Sequence, residues 1–317
     1  MGLACQARHD KGERMVKCIF IDGQAGTTGL GITRRLQQLG EFSLVTLSEA
    51  RRKDPRARAE AMAQADLTVL CLPDDAAREA VALAPPEARI LDASTAHRTA
   101  PGWVYGFAEA LPGQGQRIAQ ARLVTNPGCY ATGAVALLRP LTALGVLTAQ
   151  TQLSLNAISG YSGGGKAMIA AHEAQGGPAF ELYALGLAHK HLPEIMHYGG
   201  LVQAPLFVPS VGHFAQGMLV CLPLFAAQLG KTGTPQDIAN AYADYYAGCE
   251  QIIVHREIWR DNIDPQGLND TDKLEIFVCA NEPAGQMLLV ARLDNLGKGA
   301  SGAAVQNIRL MMGETHG

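Results

Sequence analysis

The sequence predicts an α/β protein: a doubly wound parallel sheet joined to a second, α+β domain with a mixed or antiparallel sheet. Three observations predict it. Between residues 16 and 128, short apolar runs alternate with helical segments, as in parallel sheets covered on both faces. A glycine cluster falls between the first such run and the first helix. After residue 129 the apolar runs lengthen, and the 317-residue chain is long enough for a second domain.

The elements follow in order. VKCIFI (16–21) reads as the first strand, and the helix after it places Leu30, Leu36 and Leu39 at helical spacing until Gly40 stops it. FSLVTLS (42–48), ADLTVLCLPDDAA (65–77, ending in a loop at Pro73), ARILDAST (88–95) and ARLVTNPG (121–128) supply four more strands. Residues 130–143 read as a helix. Longer strands are expected within 151–159, 206–225, 250–259, 273–280 and 287–294. A last helix from Ser301, with Val305, Ile308 and Met312 on one face, is placed back against the first domain. The expected division is 15–128 with 299–317, and 129–298. Residues 1–14 are polar, lack the apolar core of a secretory signal and read as a loose extension.

Composition narrows the function. The chain is 48% apolar and 17% charged, which supports a large core and opposes disorder. A net charge of −3 offers no basic excess for nucleic acid or an anionic membrane. No run of 18 uncharged apolar residues marks a membrane span. The seven cysteines are scattered without a C-x-x-C, so neither a zinc site nor a redox pair is signalled, and the pattern suits a reducing cytoplasm.

In GQAGTTG, Gly23, Gly26 and Gly29 lie three residues apart between strand and helix. Glycine lets the backbone approach a pyrophosphate, which the helix N-terminus then attracts. This is the context of a Rossmann-type dinucleotide site. The second strand ends in LSEARRKD, where an NAD site usually carries an acidic residue at the strand tip. Ser48 followed by Arg51, Arg52 and Lys53 suits a 2′-phosphate, so NADP is expected, although Glu49 leaves NAD possible.

TNPGCYATG (125–133) puts Cys129 at the mouth of a helix, where backbone dipoles stabilise a thiolate and N–H groups can hold an oxyanion. Its proton partner is sought among histidines. LAHKHLPEI (187–195) offers His189 and His191, and PSVGHFAQG (209–217) offers His213. Pro193 disfavours helix just upstream, so His189 and His191 are expected on an extended segment sharing one face, with His189 as the acid/base. No third ligand stands in register with HKH, so no metal is expected. DASTAHRT (92–99) brings Ser94, His97 and Arg98 to the end of a strand as candidates for an anionic pocket. ISGYSGGGK (158–166) is a second glycine-rich loop, an anion nest or a lid.

These pieces together resemble the shorter type of N-acetyl-gamma-glutamyl-phosphate reductase. The likeness rests on GQAGTTG, CLPDDAA, LDASTAHR, NPGCYATG, SGYSGGGK, HKHLPEI, PSVGHFAQGM and DNLGKGASGAAVQN, and runs from about residue 17 to 312. It implies NADPH-dependent reduction of N-acetyl-glutamyl 5-phosphate to the 5-semialdehyde in arginine biosynthesis, in a cytoplasmic homo-oligomer, a dimer or tetramer. It implies Cys129 as nucleophile with His189 and His191 beside it. Cofactor contacts are expected at Gly23, Gly26, Thr28, Gly29, Ser48, Arg51, Pro73 and Asn295. Substrate contacts are expected at Ser94, His97, Arg98, Asn126, Ser159, Gly160 and His213. Two other readings stand beside it: a reductase of a related acyl phosphate such as aspartyl phosphate, and an inactive dinucleotide-binding regulator, which the intact cysteine and histidines oppose.

Overall fold

The computed structural model describes residues 16–229 and 233–313. The leading extension, with Cys5 and His9, and the trailing His316 lie outside them. The chain forms two compact units. One comprises the residues up to Ala108, Gly113–Pro127 and the chain from Ala300. The other comprises Glu109–Pro112 and Gly128–Gly299.

The first unit is built on six parallel strands in the order β2-β1-β3-β4-β6-β5: β1 (Cys18–Asp22), β2 (Ser43–Val45), β3 (Leu67–Leu70), β4 (Ile90–Asp92), β5 (Val104–Tyr105) and β6 (Leu123–Thr125). Helices α1 (Thr27–Leu39), α2 (Pro55–Gln64), α3 (Asp74–Leu83) and α4 (Gln114–Gln120) connect them. Successive side chains of a strand point to opposite faces, and β1 shows the consequence. Ile19 and Ile21 join one core with Ile32 and Leu36 of α1, while Cys18 and Phe20 join another with Ala61 and Met62 of α2. Both faces of the sheet are therefore covered, as expected.

The differences are local. The stretch 42–48 pairs only through Ser43–Val45, and β5 is too short to show any periodicity. The buried stripe of α1 is Gly29, Ile32, Thr33 and Leu36, whereas Leu30 and Leu39 are exposed. Pro73 is the N-cap of α3.

The second unit carries a mixed seven-stranded sheet in the order β11-β12-β13-β10-β7-β9-β8. Its strands are β7 (Ser154–Gly160), β8 (Phe180–Leu182), β9 (Leu206–Gly212), β10 (Met218–Phe225), β11 (Ile252–Ile258), β12 (Leu274–Asn281) and β13 (Gln286–Leu293). The pairs β7–β9 and β11–β12 are parallel, and the rest are antiparallel. Its helices are α5 (Cys129–Ala143), α6 (Gly165–Gln175), α7 (Leu192–Gly199) and α8 (Pro235–Tyr245).

α5 is the axis of this unit and is buried along most of its length. Gly133 lets it press onto β10, since a Cβ there would lie 2.7 Å from Val220. Pro140 sits inside the helix and has no N–H to give the Ala136 carbonyl. The Tyr246 hydroxyl donates to that carbonyl instead at 2.9 Å, and Tyr242 donates to the Leu137 carbonyl at 2.6 Å. The helix defect is thus repaired by one buried phenol, and a second from α8 supports the next carbonyl. A final helix, α9 (Gly302–Met311), packs on α1 and α4, with Val305, Ile308 and Met312 in the core beside Leu36.

Candidate active site

The turn Asn126-Pro127-Gly128 leads from β6 into α5, with Gly128 as N-cap and Cys129 as the first helical residue. The helix start has no side-chain cap of its own and no acidic residue in its first turn, and its N–H dipoles point toward the thiol's end of the helix. The Gly128 N–H is held by a residue from elsewhere in the sequence. The carboxylate of Glu194, only 1% exposed, accepts it at 2.8 Å.

Glu194 lies in the first turn of α7, whose N-cap is His191. Here the structure corrects the sequence reading. His191 has helical backbone angles (φ −84°, ψ −10°), and Pro193 occupies the first turn, where its missing N–H costs nothing. The residue before the proline, Leu192, is thus helical, and His191 is not extended. The two histidines still meet: the His191 N–H donates to Nδ1 of His189 at 3.1 Å, and the rings lie 4.7 Å apart at 83°. Tyr130, next to Cys129 in the chain, places its ring edge-on to both imidazoles, at 5.9 and 6.1 Å. The Tyr183 hydroxyl is 3.5 Å from Nε2 of His189. Burial pushes the Tyr183 phenol up to about 12, with the Tyr130 hydrogen bond acting the other way and Cys129 adding to the rise. Burial also raises Tyr130. Both phenols remain donors at neutral pH.

Four other cysteines are held as protonated thiols by burial. Burial pushes the Cys71 thiol up to about 12 and Cys221 to about 11, and it raises Cys249 and Cys279 as well. Among the described residues, no group of three or more His, Cys, Asp or Glu could hold a metal.

The remaining candidates fall into two further groups. In the second unit, His213 pairs with His172 (Nδ1 to Nδ1, 2.9 Å), and Tyr161 stacks on His172 at 4.8 Å. Asn295 is 2% exposed and ties two loops together, accepting the Gly217 N–H at 2.8 Å and donating to Ser162 Oγ at 2.9 Å. Ser159 is buried, and Gly160 is required by close approach, since a Cβ would lie 2.6 Å from the Ala215 carbonyl oxygen.

In the first unit, Asp92 is fully buried and organises the DASTAHRT segment. It accepts the Ser94 hydroxyl at 2.8 Å and faces Nδ1 of His97 at 2.6 Å, while His97 stacks on Trp103 at 4.3 Å. Arg98 is buried and donates to the Asn126 carbonyl at 3.1 Å. The Asn126 side chain in turn donates to the Ala300 carbonyl and accepts from Asn307, at 3.0 and 3.1 Å. Arg98 and Asn126 therefore brace the turn that precedes Cys129.

Also in the first unit, a cleft of about 580 Å³ opens at the glycine loop, lined in part by Gly23, Gln24, Leu30, Glu49, Arg52 and Lys53. Gly23 has φ +86°, and a Cβ there would collide with the Cys71 carbonyl. At Gly29 a Cβ would lie 2.7 Å from the Gly23 carbonyl oxygen. At Gly26, the N-cap of α1, there is ordinary room for a side chain. Thr28 lies in the first turn of α1. Ser48 and Arg51 are not among the lining residues, and Arg51 pairs with Glu60 at 2.9 Å. Asp22, on the cleft wall, is compensated by the buried Arg58 at 2.7 Å.

The chain is similar to known proteins along most of its length. The model of the semialdehyde dehydrogenase dimerisation domain matches residues 129–295, beginning at Cys129. The chain is 49% identical over 308 residues to N-acetyl-gamma-glutamyl-phosphate reductase 2 of Pseudomonas putida, covering 94% of this chain and 98% of that one. It is 48% identical over 310 residues to the N-acetyl-gamma-glutamyl-phosphate reductase of Trichormus variabilis, covering 93% and 96%. The chain belongs to the N-acetyl-gamma-glutamyl-phosphate reductase family. Among solved structures it is similar in fold to aspartate semialdehyde dehydrogenase II of Vibrio cholerae complexed with ASA (TM-score 0.67, 13% identity, 96% of this chain and 100% of that one). It is likewise similar to the Candida albicans aspartate semialdehyde dehydrogenase with NADP (TM-score 0.66, 14% identity, 94% and 99%).

For this member of the reductase family, the residue that sequence reasoning missed is Glu194. It stands inside the quoted motif HKHLPEI, and a carboxylate at an otherwise apolar helix start was the available signal. Removing a buried acceptor strands its donor, at a cost of about 1–3 kcal/mol. Glu194→Ala is expected to lose that much stability in denaturant titration, whereas Glu194→Gln, which keeps an acceptor oxygen, loses less. Equal losses would show that the Gly128 contact contributes nothing.

Proposed function

We propose that this chain reduces N-acetyl-L-glutamyl 5-phosphate to N-acetyl-L-glutamate 5-semialdehyde with NADPH, releasing phosphate, through a thioester on Cys129 in arginine biosynthesis. The observation that carries the reading is the thiol at the start of α5, tied through Glu194 to α7, whose N-cap His191 is bonded to His189. The family relationship supports the choice of substrate.

The Cys129 thiolate attacks the acyl carbon, and the oxygen that becomes negative is stabilised by N–H groups at the start of α5. Phosphate departs and leaves a thioester, which splits one difficult reduction into two easier steps. NADPH, when bound, supplies a hydride to the thioester carbonyl. Collapse of the resulting thiohemiacetal releases the aldehyde and restores the thiolate. The two imidazoles divide the proton work. Nδ1 of His189 accepts the His191 N–H, so a neutral ring carries its proton on Nε2, the form that donates to an oxyanion. Protonating Nδ1 would set two N–H groups against each other. This favours His191 as the proton carrier and His189 as the fixed donor, reversing the order expected from sequence. His213, joined to His172, is left to substrate binding.

The first unit fits a dinucleotide. Gly23 and Gly29 are required by the turn itself, but Gly26 is not, so glycine there serves a group lying against the loop. Arg52 and Lys53 line the cleft and suit a 2′-phosphate. We assign the chain to the cytoplasm as a homo-oligomer, in keeping with the name of the matched domain model.

The direct test is the reverse reaction. N-acetyl-glutamate semialdehyde should be oxidised with NADP⁺ only when phosphate is present, and aspartate semialdehyde should turn over far more slowly. Comparable turnover of both aldehydes would overturn the substrate assignment.

Replacing Arg51, Arg52 and Lys53 together by Ala should weaken NADPH binding far more than NADH binding in fluorescence titrations. Equal loss for the two cofactors would remove the cluster from 2′-phosphate recognition.

For the histidines, a general acid/base contributes ~10²–10⁴-fold in rate. His191→Asn should lower kcat by that order and erase one limb of the pH–rate profile, while His189→Asn lowers kcat with the limb intact. The opposite assignment of the limb would reverse these roles.

A further inference from the structure

Lys298 is a buried ionic group that the proposed chemistry leaves unused. It is 1% exposed, and its ammonium donates to the Glu109 carboxylate at 2.8 Å and to the Gln251 side-chain oxygen at 2.7 Å. Glu109 is itself almost fully enclosed, with 8% of its side chain exposed. A buried lysine held this way is fixed at its tip as well as at its backbone, because moving it would strand two buried charges.

What the lysine fixes is the backbone on either side of it. Lys298 stands between Gly297 and Gly299 in a π-helical turn, Gly297–Ser301, a widened winding that recurs at functional sites. Neither glycine has space for a side chain. A Cβ at Gly297 would collide with the Thr271 carbonyl oxygen. At Gly299, a Cβ would lie 2.9 Å from Cβ of Cys129 and 3.4 Å from its Cα. The Gly299 N–H donates to the Asp294 carbonyl at 2.9 Å. Asp294, 1% exposed, is secured in turn by the N–H groups of Leu296 and Asp270, each at 2.9 Å. The peptide backbone at Gly299 is thus pressed flat against Cys129 and anchored on both sides.

We propose that Lys298 is a positioning residue for Cys129: locked between Glu109 and Gln251, it holds the Gly299 backbone against the nucleophile and so fixes the thiol at the start of α5. The inference rests on the reading of Cys129 as the nucleophile. Lys298 touches neither substrate nor cofactor in this account. It acts through one glycine, and Gly299 must be glycine because the nucleophile's own Cα and Cβ occupy the space of a side chain.

The test uses the full chain and reads Cys129 apart from turnover. The double substitution Lys298→Met with Glu109→Gln removes both charges together, so no lone buried charge remains. Alkylation of Cys129 by iodoacetamide at pH 7 is followed by peptide mass spectrometry, alongside kcat, KM and NADPH affinity. A displaced thiol loses the helix N-terminus that supports its thiolate, so alkylation and kcat should each fall about tenfold or more. NADPH affinity should stay at its wild-type value. Gly299→Ala, which disturbs the same contact without touching the ion pair, should behave alike. Wild-type or faster alkylation in the folded double variant would overturn the proposal. Should that variant fail to fold, wild-type alkylation in Gly299→Ala would overturn it equally. If Cys129 is not the nucleophile, Cys129→Ser keeps its turnover, which none of the Lys298 outcomes can imitate.

Discussion

The hydrogen bond from the Gly128 N–H to the buried Glu194 carboxylate is the constraint on which the candidate site depends. It joins the turn before Cys129 to α7, whose N-cap is His191. α5 and α7 are also bound at their far ends, where the Thr142 hydroxyl donates to the Gly199 carbonyl at 2.9 Å and Gly199 packs against Leu138. Fastened at both ends, the helix pair can hold a thiol and two imidazoles in a fixed relation. That fixity is what covalent catalysis requires, since reacting groups must be presented within a fraction of an ångström.

Around that bond the second unit spends its polar groups on holding backbone. Tyr246 covers the carbonyl that Pro140 leaves without a donor in α5, Tyr242 supports the next one, and Asn295 joins two loops through both ends of its amide. The first unit behaves alike: Asp92 gathers Ser94 and His97, while Arg98 and Asn126 brace the turn. Several polar residues that look like ligand contacts in the sequence are thus committed to protein partners. Buried polar groups demand such partners, whatever else they do.

Much of the fold was legible because its signals are local. The glycine cluster between an apolar run and a helix, and the alternation through residue 128, lead directly to the parallel sheet. Residues 130–143 read correctly as a helix for the same reason. What failed depended on tertiary context. Leu30 and Leu39 carry helical spacing, yet the buried stripe runs through Ile32 and Leu36, because the sheet and α9 decide which side of α1 is covered. Pro193 disfavours helix at the residue before it, yet α7 begins at Leu192, because a proline in the first turn suits a helix start. Cys129 and the two histidines are proposed from chemistry and position that the sequence displays. For Glu194 the only local signal is a carboxylate at an apolar helix start, because its partner is an N–H group 66 positions away in the sequence.

The central claim is that Cys129 carries the acyl group. The most direct measurement is intact-protein mass spectrometry after mixing the enzyme with N-acetyl-glutamyl 5-phosphate in the absence of NADPH. The account predicts a mass increase equal to one N-acetyl-glutamyl group, mapped to Cys129, removed by hydroxylamine and absent from Cys129→Ser. A wild-type enzyme that acquires no adduct, or a Cys129→Ser variant that turns over within about tenfold of wild type, would contradict it.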